Sequence, residues 1–177
     1  MSNFYTYLIA QLPLLQFGMK PPFTFREFLL RCKDFIPDDD YAVLAHLSEI
    51  QEYAGEPEHP FIQEWINFDR LLRNALVKIR AARKHVEPGQ YLRPADFRTA
   101  RIDEVAMSAY RNPSLIEGER VLDRLRWEEL EELVRGHHFD LEYLLAFGYK
   151  LLILERWEKI RTTRPETVLD TLIGSSL

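Results

Sequence analysis

The sequence predicts an all-α fold, a multi-helix bundle of roughly six to eight helices, and three observations carry that prediction. Apolar residues recur at three- and four-residue spacing through most of the chain. These stretches open on capping residues and close on proline or glycine. The period-two alternation of half-buried strands does not repeat anywhere.

Taken in order, the first element is the least defined. Phe4 to Leu15 holds aromatic and β-branched residues that suit a short strand. Tyr7, Leu8 and Gln11 equally fit one or two helical turns, and the balance tips towards a short helix. Pro13, Gly18 and Pro21-Pro22 end either element. Thr24 and Glu27 then form a capping-box pair, followed by Phe25, Phe28, Leu29, Cys32, Phe35 and Ile36 on one helical face. Pro37 breaks that helix, and one of Asp38, Asp39 and Asp40 is expected to cap the next, near Asp40 to Tyr53. A loop from Gly55 to Pro60 leads into a long helix from about Phe61 to His85, with Pro88-Gly89 as its terminator. The segment from Pro94 to Arg111 carries Ala95, Ala100, Ala106 and Ala109, small enough for close helix approach. Ser114 caps a helix from Leu115 to Arg135, with Gly136 placed to close it. Asp140 caps the last long helix, Leu141 to Arg161, whose middle is apolar nearly all round and therefore expected at the centre of the bundle. Pro165 and a short amphipathic tail follow.

A chain of 177 residues suits one domain, read as 1–177, with a hinge expected near 86–94 between an N-terminal and a C-terminal helical part. Its 46 % apolar and 29 % charged residues argue against global disorder. A net charge of −5 argues against a dedicated nucleic-acid binder. Cys32 is the only cysteine, which excludes a disulfide framework and a multi-cysteine zinc site and suits a reducing, cytoplasmic setting. No Lys or Arg precedes the first apolar run, so the charged opening of a signal peptide is missing. Lys150 interrupts the most apolar internal stretch, which is also shorter than the roughly 20 residues that span a bilayer. Direct membrane insertion is not expected.

The search for chemistry points away from an enzyme. The seven glycines form no phosphate loop, dinucleotide fingerprint or nucleophile elbow. Bundle-type metal sites place Glu-x-x-His pairs on helix faces, yet Glu56 and His59 sit between Gly55 and Pro60 in a loop. His137 and His138 are adjacent, read as a solvated turn before the Asp140 cap. Cys32 lies on an apolar face, which suits a structural thiol rather than a nucleophile. No catalytic residue, cofactor or metal ligand is assigned. The candidates are for partner binding instead. Arg70, Arg73, Arg80 and Lys84 share one helix face that suits an acidic partner, although such charge runs are commonly solvated. Phe17, Met19 and Phe23 flank the proline-rich opening and are of the types that anchor interfaces.

Two segments carry a family resemblance. One is Tyr5 to Pro22, with Leu12-Pro13-Leu14-Leu15 and Phe17-Gly18-Met19-Lys20-Pro21-Pro22. The other is Phe139-Asp140-Leu141-Glu142, then Leu144 to Phe147 and Leu151 to Trp157. Both resemble a bacterial family of uncharacterised proteins encoded beside V-type ATPase genes. The second is also similar to the end of the C-type spacer subunit of V-type ATPases. The resemblance implies a non-catalytic accessory or spacer of a V-type proton- or sodium-translocating ATPase, partnered by stalk or rotor-ring subunits. It also implies a peripheral place on the inner face of the cell membrane through that complex. The C-type spacer is longer and has three lobes, so its funnel shape does not carry over. A free-standing helical adaptor, binding an acidic partner through the arginine face, is the alternative.

Overall fold

The computed structural model describes residues 3–48, 59–94 and 100–163. Among these the chain forms seven α-helices and no strand: α1 (Asn3–Ala10), α2 (Phe25–Cys32), α3 (Asp38–Ala45), α4 (Pro60–Lys84), α5 (Ala100–Arg111), α6 (Leu115–Leu133) and α7 (Leu141–Thr162). The expected all-α multi-helix fold is therefore observed, and the ambiguous opening is a helix. The chain divides into two compact units, one made from Met1–Ile50 with Gly136–Leu177, the other from Gln51–Arg135. No helix among the described residues is long and apolar enough to cross a membrane.

The first unit gathers α1, α2, α3 and α7. Its sequence logic centres on α7, where Leu144 to Tyr149, Leu151, Ile153 and Leu154 are all buried. A helix apolar on every side can satisfy itself only by being surrounded, as expected for this segment. Gly148 marks the tightest approach: a Cβ there would lie 2.9 Å from Leu47 Cδ1 and 3.2 Å from Phe25 Cε2. Phe28 stacks tilted against Phe147 with ring centroids 5.0 Å apart. The capping box at Thr24 forms as predicted, with Glu27 N donating to Thr24 Oγ1 at 3.2 Å and Thr24 N to Glu27 Oε2 at 2.7 Å. Glu155 of α7 accepts from Phe25 N at 2.9 Å, so a carboxylate sits at the positive end of α2 and ties the two helices together.

Two boundaries differ from expectation for physical reasons. Pro37 occupies the cap position of α3 without a side-chain hydrogen bond, and Asp38, Asp39 and Asp40 fill the first turn instead. There they complement the helix dipole without acting as the cap. A short 3-10 turn, His46–Ser48, follows α3. The rest of the segment expected to reach Tyr53 lies outside the described residues, as do Ala95 and the tail from 164 onward.

The second unit holds α4, α5 and α6. Pro60 opens α4 at its first turn, where a missing N–H costs nothing. The helix ends at Lys84, ahead of Pro88-Gly89, because His85 adopts a left-handed conformation with φ +54°. Val86 N donates to Ala81 O at 3.1 Å and His85 N to Ala82 O at 3.3 Å, the paired bonds of a Schellman motif. The 86–94 segment lies within this unit, where Asn74 clamps it: Asn74 Nδ2 donates to Arg93 O at 2.7 Å, and Asn74 Oδ1 accepts from Arg93 N at 3.0 Å. Ala106 and Ala109 are buried, and Gly118 of α6 sits where a Cβ would come within 2.7 Å of Ala109 O. Small residues on both helices thus set the α5–α6 approach. Ser114 caps α6, accepting from Glu117 N at 3.3 Å. Gly136 has positive φ as expected, but α6 itself ends at Leu133 with Val134 as its cap.

Candidate functional site

The three apolar candidates near the opening fall in the first unit, on the segment between α1 and α2. Met19 N donates to Gln16 O at 3.2 Å, closing a turn around Gly18 at φ +85°. That turn leaves Met19 60 % exposed, while Phe17 is half-buried. Phe23 is also half-buried, with its ring centroid 6.1 Å from that of Phe147. The Arg31 guanidinium lies 4.4 Å from the Phe23 ring centroid, a cation–π contact. Phe23 is therefore partly committed to its own fold, and Met19 is the most accessible of the three.

The four basic candidates fall on α4 in the second unit. Arg73 Nε pairs with Asp69 Oδ2 at 2.6 Å, and Asp69 Oδ1 in turn accepts from Arg126 Nε at 2.9 Å. Arg126 Nη1 then donates to Asp123 Oδ1 at 2.9 Å. Two acids and two arginines alternate along this chain of contacts, which joins α4 to α6, and Asp123 is wholly buried. Arg70 is half-buried, whereas Arg80 and Lys84 are exposed. The basic face is thus split, one part neutralised inside the unit and the other presented to solvent near the end of α4.

A further cluster, unassigned from the sequence, forms where α7 begins. His137 Nδ1 lies 2.7 Å from Asp140 Oδ2 and 3.8 Å from Glu142 Oε2. Asp140 also caps α7 through Oδ1, accepting from Tyr143 N at 3.1 Å. One ligand atom from each of His137, Asp140 and Glu142 can be chosen so that all lie within 4.8 Å of one another, a set able to hold a divalent cation. Tyr5 of α1 stands beside this cluster and donates its hydroxyl to Asp40 Oδ2. Burial raises the Tyr5 pKa, and the carboxylates of Asp40, Glu142 and Asp140 push it the same way. Helical spacing could not reveal this grouping, because its members come from a loop, a cap and a first turn. The usable signal was His137 three residues before a predicted N-cap.

Comparison with known proteins adds one relationship. No curated protein and no solved structure matches the chain. Residues 100–175, from the start of α5 past the end of α7, match the model of a family described as Protein of unknown function (DUF2764).

Proposed function

We propose that the chain is a non-catalytic helical component of a V-type proton- or sodium-translocating ATPase, resembling the C-type spacer that links central stalk to rotor ring. One observation supports this reading above others. The two segments that carry the resemblance, Tyr5 to Pro22 and Phe139 to Trp157, stand far apart in sequence yet belong to one compact unit. Within it, Tyr5 is near enough to Asp140 and Glu142 for their charges to act on its phenol. A resemblance confined to two unrelated surface stretches would have no reason to converge in this way.

A spacer passes force between partners, which calls for packed helices and separate docking faces. The first unit offers the exposed Met19, four residues before Phe23 in the chain. The second offers Arg80 and Lys84. Affinity purification of the tagged chain from native membranes tests the proposal. Stalk or ring subunits should co-purify, and the gene should lie among theirs. Absence from the purified ATPase together with an unrelated gene neighbourhood would overturn it.

The adaptor reading draws on the exposure of Arg80 and Lys84. Reversing both charges should then abolish binding to an acidic partner while the helical content stays constant. Arg73 is a poor site for that experiment, since its charge is already matched by Asp69.

A further inference from the structure

Helices α4, α5 and α6 leave a cleft of about 250 Å³ within the second unit. Phe68 and Leu71 of α4, Ile102 of α5 and Leu125 of α6 make its walls largely apolar. Two carboxylates, Glu64 and Glu129, line the same cleft together with one cation, Arg101. Glu129 is half-buried, and no hydrogen bond or ion pair reaches it from the described residues. Its carboxyl pKa is raised, above all by loss of water; the Arg101 charge opposes that shift more than Glu132 or Glu64 individually adds to it. Arg101 does not cancel the imbalance, because its guanidinium is ion-paired with Glu128. The charged groups around Glu129 are therefore Glu64 from α4, Arg101 from α5, and Glu128 and Glu132 on its own helix. Carboxylates outnumber cations there, and a half-buried carboxylate whose burial Arg101 only partly offsets is an electrostatic cost that a second cation would relieve.

We propose that this cleft receives one arginine or lysine side chain presented by a partner protein, with the alkyl stem against Phe68, Leu71 and Ile102 and the cationic head at Glu129 and Glu64. The chemistry matches at both ends, since such side chains carry an apolar stem and a charged tip. Size decides between a side chain and a free ligand. Pockets that enclose a small molecule run to roughly 300–1,000 Å³, so this cleft suits a single anchoring residue whose remaining contacts lie outside it. The assignment is independent of the ATPase reading and holds for any partner that presents such an anchor.

The test is an NMR titration of the full chain with a capped peptide bearing one arginine between leucines, beside the same peptide with neutral citrulline in its place. The arginine peptide should shift resonances of Phe68, Leu71 and Ile102, and the citrulline peptide should bind about tenfold more weakly or worse. Glu129→Gln should weaken the arginine peptide by a similar factor while its thermal midpoint stays at or above that of the parent. Glu64→Gln, at an exposed position, should weaken binding by a smaller factor. Affinity should also fall on acidification at a higher pH than an ordinary glutamate would dictate. Equal binding of the two peptides, unchanged affinity in Glu129→Gln, or no shifts at the cleft would overturn the proposal. So would free n-butylguanidinium binding as tightly as the peptide, since the cleft would then be a small-cation site.

Discussion

Asp123 has no exposed surface, and its carboxylate depends on Arg126, which in turn is shared with Asp69. Removing Asp123 takes one of two carboxylates from the largely buried Arg126 and leaves Asp69 on it, so a buried hydrogen-bond donor loses its acceptor while the charge stays matched. Asp123→Ala should therefore destabilise the protein by about 1–3 kcal/mol in urea unfolding. Cys32 makes a different prediction at the same scale. Burial pushes its thiol from 9.0 up to about 12, so the folded chain holds that proton when the unfolded chain has released it. The resulting stabilisation is complete below pH 9 and is lost as pH rises towards 12. Tyr5 acts in the same direction at higher pH, its own pKa being raised from 10.0. Unfolding midpoints across that window should show a shallower decline for Cys32→Ala, and the native thiol should resist an aromatic disulfide reagent until the chain unfolds. The caps at Thr24, Ser114 and Asp140 are legible from sequence because both partners of each bond lie within three residues. Asp123 is not legible in that way. An acid three residues before an arginine reads as an ordinary solvated pair until Asp69 arrives from another helix.

Helix packing explains what patterning conveys and what it omits. The apolar face of α2 and the all-apolar middle of α7 announce their burial, since periodicity records how much of each helix must be covered. The close approach of α5 and α6 is half visible in Ala106 and Ala109, but Gly118 is the decisive contact and a lone glycine in a helix carries no such label. Gly118→Ala should gain roughly 1 kcal/mol of helix propensity. It should lose more, about 1–3 kcal/mol, because the new methyl meets a backbone carbonyl that cannot rotate away. Net destabilisation in thermal unfolding is the expected result. The end of α4 predicts the opposite sign. His85 holds a left-handed backbone that favours glycine, so His85→Gly should stabilise by about 1 kcal/mol with no change in helical content. Sequence places the stop at Pro88-Gly89 because those residues are the stronger breakers, while the Schellman bonds close the helix before the chain reaches them.

For the molecule as a whole, the two units have their own cores and their own fluorescent reporters. Trp65 and Trp127 belong to the second unit, and Trp157 belongs to the first. In variants that retain only Trp127 or only Trp157, Asp123→Ala should lower the denaturant midpoint seen by Trp127 and leave that seen by Trp157 in place. Equal shifts in both would mean that the units unfold as one. The all-α class is legible at this scale because it sums many local signals. The division into units is not, since it depends on α7 pairing with helices that begin the chain. No periodicity within a window encodes such a long-range choice. A second consequence concerns the order of synthesis. While α4, α5 and α6 are being made, Phe28, Leu44 and Leu47 have no α7 to cover them, an interval of roughly 5–20 s at ordinary elongation rates. The middle of the chain can mature as it leaves the ribosome, whereas the first helices must wait for almost the last. Ribosome stalling before Leu141 would thus release a chain with a finished interior segment and a sticky beginning, a natural substrate for chaperones.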